Sequence, residues 1–133
     1  MSSSVIFQNA YATLIYHPDK KIVHHIFHKP VGGQPFREVL LTGMQVLKAN
    51  GARKWLSDDR GNSALPDDDT EWALNIWFPQ VRDAGWKYWA LVVPDDVMGR
   101  LNLVEHTEFY FQRGIRIMVF TDPDEALKWL EAV

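Results

Sequence analysis

Three features of the sequence predict an α/β domain built on a mixed sheet. Two β-rich runs, residues 11–16 and 21–28, flank the turn-prone His17-Pro18-Asp19-Lys20 and read as a hairpin. Three later strand-like runs, at 53–56, 86–93 and 115–120, alternate with segments of helical period. Strands separated by helices need right-handed crossovers and a parallel core, so the hairpin is expected to form an antiparallel part of the same sheet. The expectation is a sheet of four or five strands with an N-terminal β-hairpin and about four helices on both faces.

Each element has a local reason. Val5 to Phe7 can add a short leading strand. Centring the hairpin turn on Pro18-Asp19 pairs Ile15 with Ile22 and Leu14 with Val23, which leaves apolar side chains on both faces and implies a sheet covered on both sides. Gly32-Gly33 breaks the chain, and Pro35 suits the first position of a helix whose Phe36, Leu40, Met44 and Leu47 recur at near-helical spacing until Asn50-Gly51. A strand follows around Arg53 to Leu56. The next helix starts near Pro66 to Asp69, where three carboxylates suit the positive end of the helix dipole. Its stripe is Leu74, Trp77, Phe78 and Val81, and Pro79, which cannot donate to the Asn75 carbonyl, should kink it before Gly85 ends it. Trp86 to Val93, closed by Pro94, reads as a central strand. Asp95 or Asp96 then caps a helix running to about Gly114, Ile115 to Phe120 is the next strand, and Asp122-Pro123-Asp124-Glu125 opens a last helix to about Ala132.

Length and composition narrow the function. The chain has 133 residues, so residues 1–133 are read as one domain, large enough for a core without disulfides. With no cysteine, thiol chemistry and thiolate metal sites are excluded. Fourteen basic and 17 acidic residues give a formal net charge of -3, which provides no basic excess for nucleic acid. No apolar run approaches the roughly 20 residues of a bilayer span, and the N-terminus lacks a charged-then-apolar signal pattern. A soluble, cytoplasmic protein is expected.

Several segments carry a resemblance: Phe36-Arg37-Glu38, Lys54-Trp55-Leu56-Ser57-Asp58-Asp59-Arg60, Glu71-Trp72-Ala73, Trp77-Phe78-Pro79, Ala84-Gly85-Trp86-Lys87, and Val119-Phe120-Thr121-Asp122 through Ala126-Leu127-Lys128-Trp129-Leu130. Together they resemble the small bacterial SpoIIAA-like proteins of the STAS-like class, which also looks similar in fold to the CRAL-TRIO lipid carriers. The resemblance covers almost the whole chain and implies a four- or five-stranded sheet with helices on both sides. In the antagonist branch of that class a phosphorylatable serine lies at the start of the helix after a central strand. The matching loop here is Ser57 to Thr70, and its helix start reads Leu65-Pro66-Asp67-Asp68-Asp69-Thr70 with no Asp-Ser pair, so this chain departs from that pattern. Ser57 and Ser63 are the nearby hydroxyls.

The residues themselves point away from familiar catalysis. Ser63 in Gly61-Asn62-Ser63-Ala64-Leu65 lacks the nucleophile elbow, and Gly32-Gly33 has no phosphate-loop spacing. His106 with Glu105 and Glu108 is the only suggestion of acid–base work, and a surface helix gives the same letters. Asp58, Asp59, Asp67, Asp68 and Asp69 crowd one segment, where they read as helix-capping acids and partners of Arg60 rather than as a metal site. His24 and His28 share a strand face but stand about 13 Å apart, and the expected register sets His24 across from Thr13 and His25 from Ala12. No metal and no cofactor is expected. Trp72, Trp77, Trp86 and Trp89 serve either as core or, if Pro79 opens the helix, as walls of a pocket or patch. The expected function is a non-catalytic regulatory or protein-interaction module, binding a protein partner or its own copy. Its interaction or ligand surface comprises Ser57, Asp58, Asp59, Arg60, Ser63, Trp72 and Trp77. The alternative is a carrier or sensor of a small apolar, lipid-like ligand, and the third reading is a small hydrolase.

Overall fold

The computed structural model describes residues 3–133. Six strands form one sheet: β1 (Ser4–Gln8), β2 (Ala12–His17), β3 (Ile22–Phe27), β4 (Lys54–Asp58), β5 (Tyr88–Val92) and β6 (Arg116–Phe120). Spatial order equals chain order. The first three strands are antiparallel, and β3 to β6 are parallel. The expected count of four or five strands is therefore corrected to six, because the leading strand pairs as a full member at one edge. A bulge between Val5 and Phe7 bends the β1 edge, a feature that discourages edge-to-edge pairing.

The hairpin register is also corrected. His17 faces Ile22, Leu14 faces His25 and Ile15 faces His24, two residues away from the expected pairing. The reason lies in the turn: residues 18–21 form a four-residue loop with Lys21 at φ 55°. A two-residue turn of ordinary Pro-Asp geometry would splay twisted strands, whereas a longer loop with one left-handed residue restores the twist. A slip of two residues keeps every side chain on its expected face.

The helices are α1 (Gly33–Asn50), α2 (Asp67–Trp72), α3 (Phe78–Asp83), α4 (Val97–Gln112) and α5 (Pro123–Ala132). Between α2 and α3, Ala73–Trp77 form a π turn, in which the Phe78 N–H reaches back to the Ala73 carbonyl. The stretch from Asp67 to Asp83 is thus one helical element widened just before Pro79, whose missing N–H already spoils the regular ladder. Asp96 caps α4 by accepting from the Gly99 N–H, and Asp122 caps α5 by accepting from the Asp124 N–H.

Three parallel steps, β3 to β4 to β5 to β6, all move in the same direction across the sheet. Right-handed crossovers then place α1, the α2–α3 element and α4 on one face. Their core contains Leu14, Val23, Phe27, Trp55, Trp89, Leu91 and Ile115 from the sheet, packed with Phe36, Val39, Leu47, Trp77, Phe78, Val81 and Tyr110 from the helices. The opposite face holds a smaller cluster of Ile22, Leu56, Ala90 and Val92, covered by Ala126 and Leu130 of α5 alone. Helices thus cover both faces, unequally. Gly43 permits the closest contact on the thicker side: a Cβ there would lie 2.3 Å from the tip of the Trp55 indole, so α1 sits directly on that ring. Among the described residues no helix is long and apolar enough to cross a membrane.

Candidate functional site

Alternation along three adjacent strands aims Phe27 and His25, Trp55, Ser57 and Asp59, and Trp89 at the thicker side. His25 and Ser57 are directly paired across β3 and β4. Above them the π turn contributes Ala73, Leu74 and Trp77, while α4 contributes Leu103, His106 and Tyr110. Between these layers lies a cavity of about 60 Å³. A single water needs roughly 10–15 Å³ of such space, so the cavity exceeds one water several-fold. Its lining residues Leu65, Thr70, Leu74, Leu103 and His106 are half-buried, which places the opening between the α2–α3 element and α4.

Aromatic rings build the walls. Trp55 and Trp77 meet at 5.4 Å, Trp77 and Trp86 at 5.5 Å, Trp86 and Trp89 at 5.6 Å, and Trp89 and Tyr110 at 5.0 Å. A buried indole needs an acceptor for its N–H. Trp77 donates to the Leu40 carbonyl at 2.8 Å, Trp86 to the Tyr88 carbonyl at 3.1 Å, Trp89 to Ser57 Oγ at 2.8 Å and Trp55 to His25 Nδ1 at 3.0 Å. The aromatic layer is therefore tied to α1 and to three strands by directed bonds as well as by packing.

The Trp55 bond determines the state of His25. An indole N–H only donates, so Nδ1 carries a lone pair and the ring proton sits on Nε2, which donates to Asp59 Oδ1 at 2.7 Å. In this arrangement His25 is a neutral imidazole with both nitrogens occupied. Ser57, His25 and Asp59 hence do not form a nucleophile relay, since no lone pair of His25 is left to accept the serine proton. Ser57 Oγ accepts from Trp89, and its own proton meets no acceptor among the described residues. The Tyr110 hydroxyl likewise has no partner among them, and burial pushes its pKa above the ordinary range, so it stays protonated. Ser57 is 4 % and Tyr110 6 % exposed, and both side chains border the cavity.

The residues singled out from the sequence are separated by the fold. Ser57, Asp59 and Trp77 converge on the cavity. Asp58 points to the opposite face, where Arg60 grips it with two bonds of 2.9 and 2.8 Å. Ser63 donates to Asp96 at the start of α4, and Trp72 is half-buried against Phe36 with the Arg37 guanidinium over its ring. Four of these seven residues, Ser57, Asp58, Asp59 and Trp77, are buried, so they do not make one continuous outer surface. The acidic segment divides too: Asp67 and Asp68 are exposed on the first turn of α2, whereas Asp69 is buried and reaches across to α1, accepting from the Gly33 N–H at 2.8 Å and from Arg37 at 3.1 Å. Among the described residues no three His, Asp or Glu side chains are placed to share a metal ion.

Sequence reasoning missed His25, Trp55 and Tyr110 as cavity residues. A signal for the first was present, because His25 stands between Val23 and Phe27 on the apolar face of β3, where a polar residue needs a buried partner. The missed register hid another contact: His17 Nε2 lies 3.0 Å from His24 Nδ1, the two rings stacked on the thinner side.

The arrangement defines a class: an α/β domain on a mixed six-stranded sheet, with an aromatic-walled cavity between its parallel strands and two helical elements. No protein family, curated protein or solved structure matches this chain.

Proposed function

We propose that this protein is a non-catalytic carrier or sensor that holds a small molecule with an apolar body in the cavity between β3–β5, the π turn and α4. One observation carries the reading: the Tyr110 hydroxyl and the Ser57 hydroxyl proton border a mostly aromatic and aliphatic cavity without a hydrogen-bond acceptor among the described residues. Buried polar groups are almost always paired, and apolar walls with a few convergent polar groups are the usual make-up of a small-ligand site. Occupied ring nitrogens on His25 support binding over acid–base chemistry at this spot. The resemblance to SpoIIAA-like and CRAL-TRIO-like folds agrees with a ligand-holding or regulatory role and does not choose between them.

Native mass spectrometry of protein purified gently from its own host tests this. The expected spectrum shows a retained small-molecule mass that disappears in Ala73→Leu, a substitution that fills the cavity from the π turn. A bare polypeptide mass under those conditions, together with no small-molecule binding in solution, would sink the reading.

A second reading, self-association, is favoured by α4. Its Val97, Met98, Leu101, Val104 and Phe111 are exposed, Phe111 by 68 %, which leaves much of one long helix apolar toward solvent. Sedimentation equilibrium of the native chain and of Leu101→Glu separates the outcomes: a dimer lost in the variant supports it, and a monomer throughout removes it.

A further inference from the structure

We infer that the cavity ligand is a small organic cation, a protonated amine with a short alkyl or aryl body, held by Asp59 against the aromatic walls; this rests on the ligand-binding reading above. The starting point is an unbalanced charge. Asp59 is 6 % exposed, and its one recorded side-chain partner among the described residues is His25. Because Trp55 donates to Nδ1, His25 is neutral here and leaves the carboxylate charge uncancelled. Arg60, the adjacent cation, is bound to Asp58 on the other side of the sheet. Asp59 Oδ2 accepts no hydrogen bond from the described residues. A buried carboxylate without a paired cation is costly, and a cation delivered into the cavity removes that cost.

The walls favour the same chemistry. Trp55, Trp77, Trp86, Trp89 and Tyr110 surround the space with ring faces and edges, the environment in which ammonium groups are recognised by the ring quadrupole. Besides Asp59, the Tyr110 oxygen and the second lone pair of Ser57 Oγ are available to accept N–H bonds. Anions fare badly: no Lys or Arg lines the cavity among the described residues, so a fatty-acid carboxylate or a phosphate would meet Asp59 with nothing to offset it. The space of about 60 Å³ limits the body to a short chain or small ring.

The test uses the full chain and three probes of matched shape, n-butylammonium, n-butanol and butyrate, titrated at pH 7 and low salt. The readout is the indole N–H resonances of Trp55 and Trp89, whose acceptors are His25 and Ser57 in the cavity. The expected result is saturable shifts with butylammonium at a concentration about tenfold or more below that needed for butanol, and none with butyrate. In Asp59→Asn the preference for the amine over the alcohol is expected to fall to near parity. Equal or tighter binding of butanol or butyrate to the native chain overturns the charge assignment and leaves the cavity reading standing. Absence of saturable shifts with all three probes overturns both. The native-chain comparison decides even if the Asp59 variant does not fold.

Discussion

The two faces of the sheet are built from the same strands and differ in nearly everything else. The thicker face carries three helical elements, four buried indoles each with its own acceptor, and the cavity. The thinner face carries one helix over four small or aliphatic strand residues, together with the His17–His24 contact and the Asp58–Arg60 pair. The asymmetry follows from strand order. When parallel strands are added always on the same side, right-handed crossovers stack every connecting helix on one face, and only the final helix is free to return beneath the other. The face with surplus helices can enclose space between layers; the face with one helix can only be covered.

The largest difference should appear in large-to-small substitutions. Trp77→Ala removes a ring packed on Trp55 and Trp86 and leaves the Leu40 carbonyl without its donor, so chemical denaturation at pH 7 should show a loss of about 3–5 kcal/mol. Leu130→Ala, at the centre of the thinner cluster, should cost less, about 2–3 kcal/mol. Equal or inverted losses would break the comparison, since they would mean that α5 holds as much of the stability as the aromatic layer.

Next in size is a pH effect belonging to the thinner face. Burial first, and then the neighbouring His17, push the His24 pKa down from 6.5 to about 4, against an opposing pull from Asp58. Its Nε2 is buried without a partner. Burial also lowers His17. With the folded value below the unfolded one, the unfolded chain takes up the proton first as pH falls. Stability is then unaffected above about pH 6.5, declines between about 6.5 and 4, and levels off below, a loss of up to about 3 kcal/mol from His24. His24→Leu should flatten most of that slope when unfolding is followed by urea at a series of pH values; an unchanged slope would mean that the stacked pair is not the acid-sensitive element.

Gly43→Ala sharpens the comparison from the other side. The added methyl collides with Trp55, and a loss of about 1–3 kcal/mol is expected even though alanine is the better helix former. A gain in melting temperature would show that α1 has room to move off the indole. The smallest effect expected is that of Asp122→Ala, which removes the cap of α5 at an exposed position and should cost about 1 kcal/mol by the same denaturation measurement.

Much of this fold is legible in the letters because it is local. Asp122-Pro123 at the start of α5, Asp96 before α4 and the Asn50-Gly51 stop of α1 act through bonds spanning only a few residues, and each element lies close to where those signals predict it. Pro79 announced an irregular helix for the same reason, though whether the irregularity would be a kink or a π turn depended on what packed against it. The hairpin register was not legible, because a four-residue loop with Lys21 left-handed and a two-residue turn both put the same side chains inward.

The site divides along the same line. Ser57 and Asp59 stand out in the sequence as polar residues at a strand end, and Trp77 as an aromatic on a helix stripe. That Asp58 and Asp59 serve opposite faces follows from strand alternation alone, whereas the pairing of Asp59 with His25, and of His25 with Trp55, joins positions about 30 residues apart in sequence and required the sheet to form. Composition, caps and period by themselves determined that this chain is an α/β domain and where most of its elements begin. Only the tertiary structure decided which face received the helices, which indole met which acceptor and where a cavity remained, because those outcomes depend on long-range contacts that no local stretch of sequence encodes.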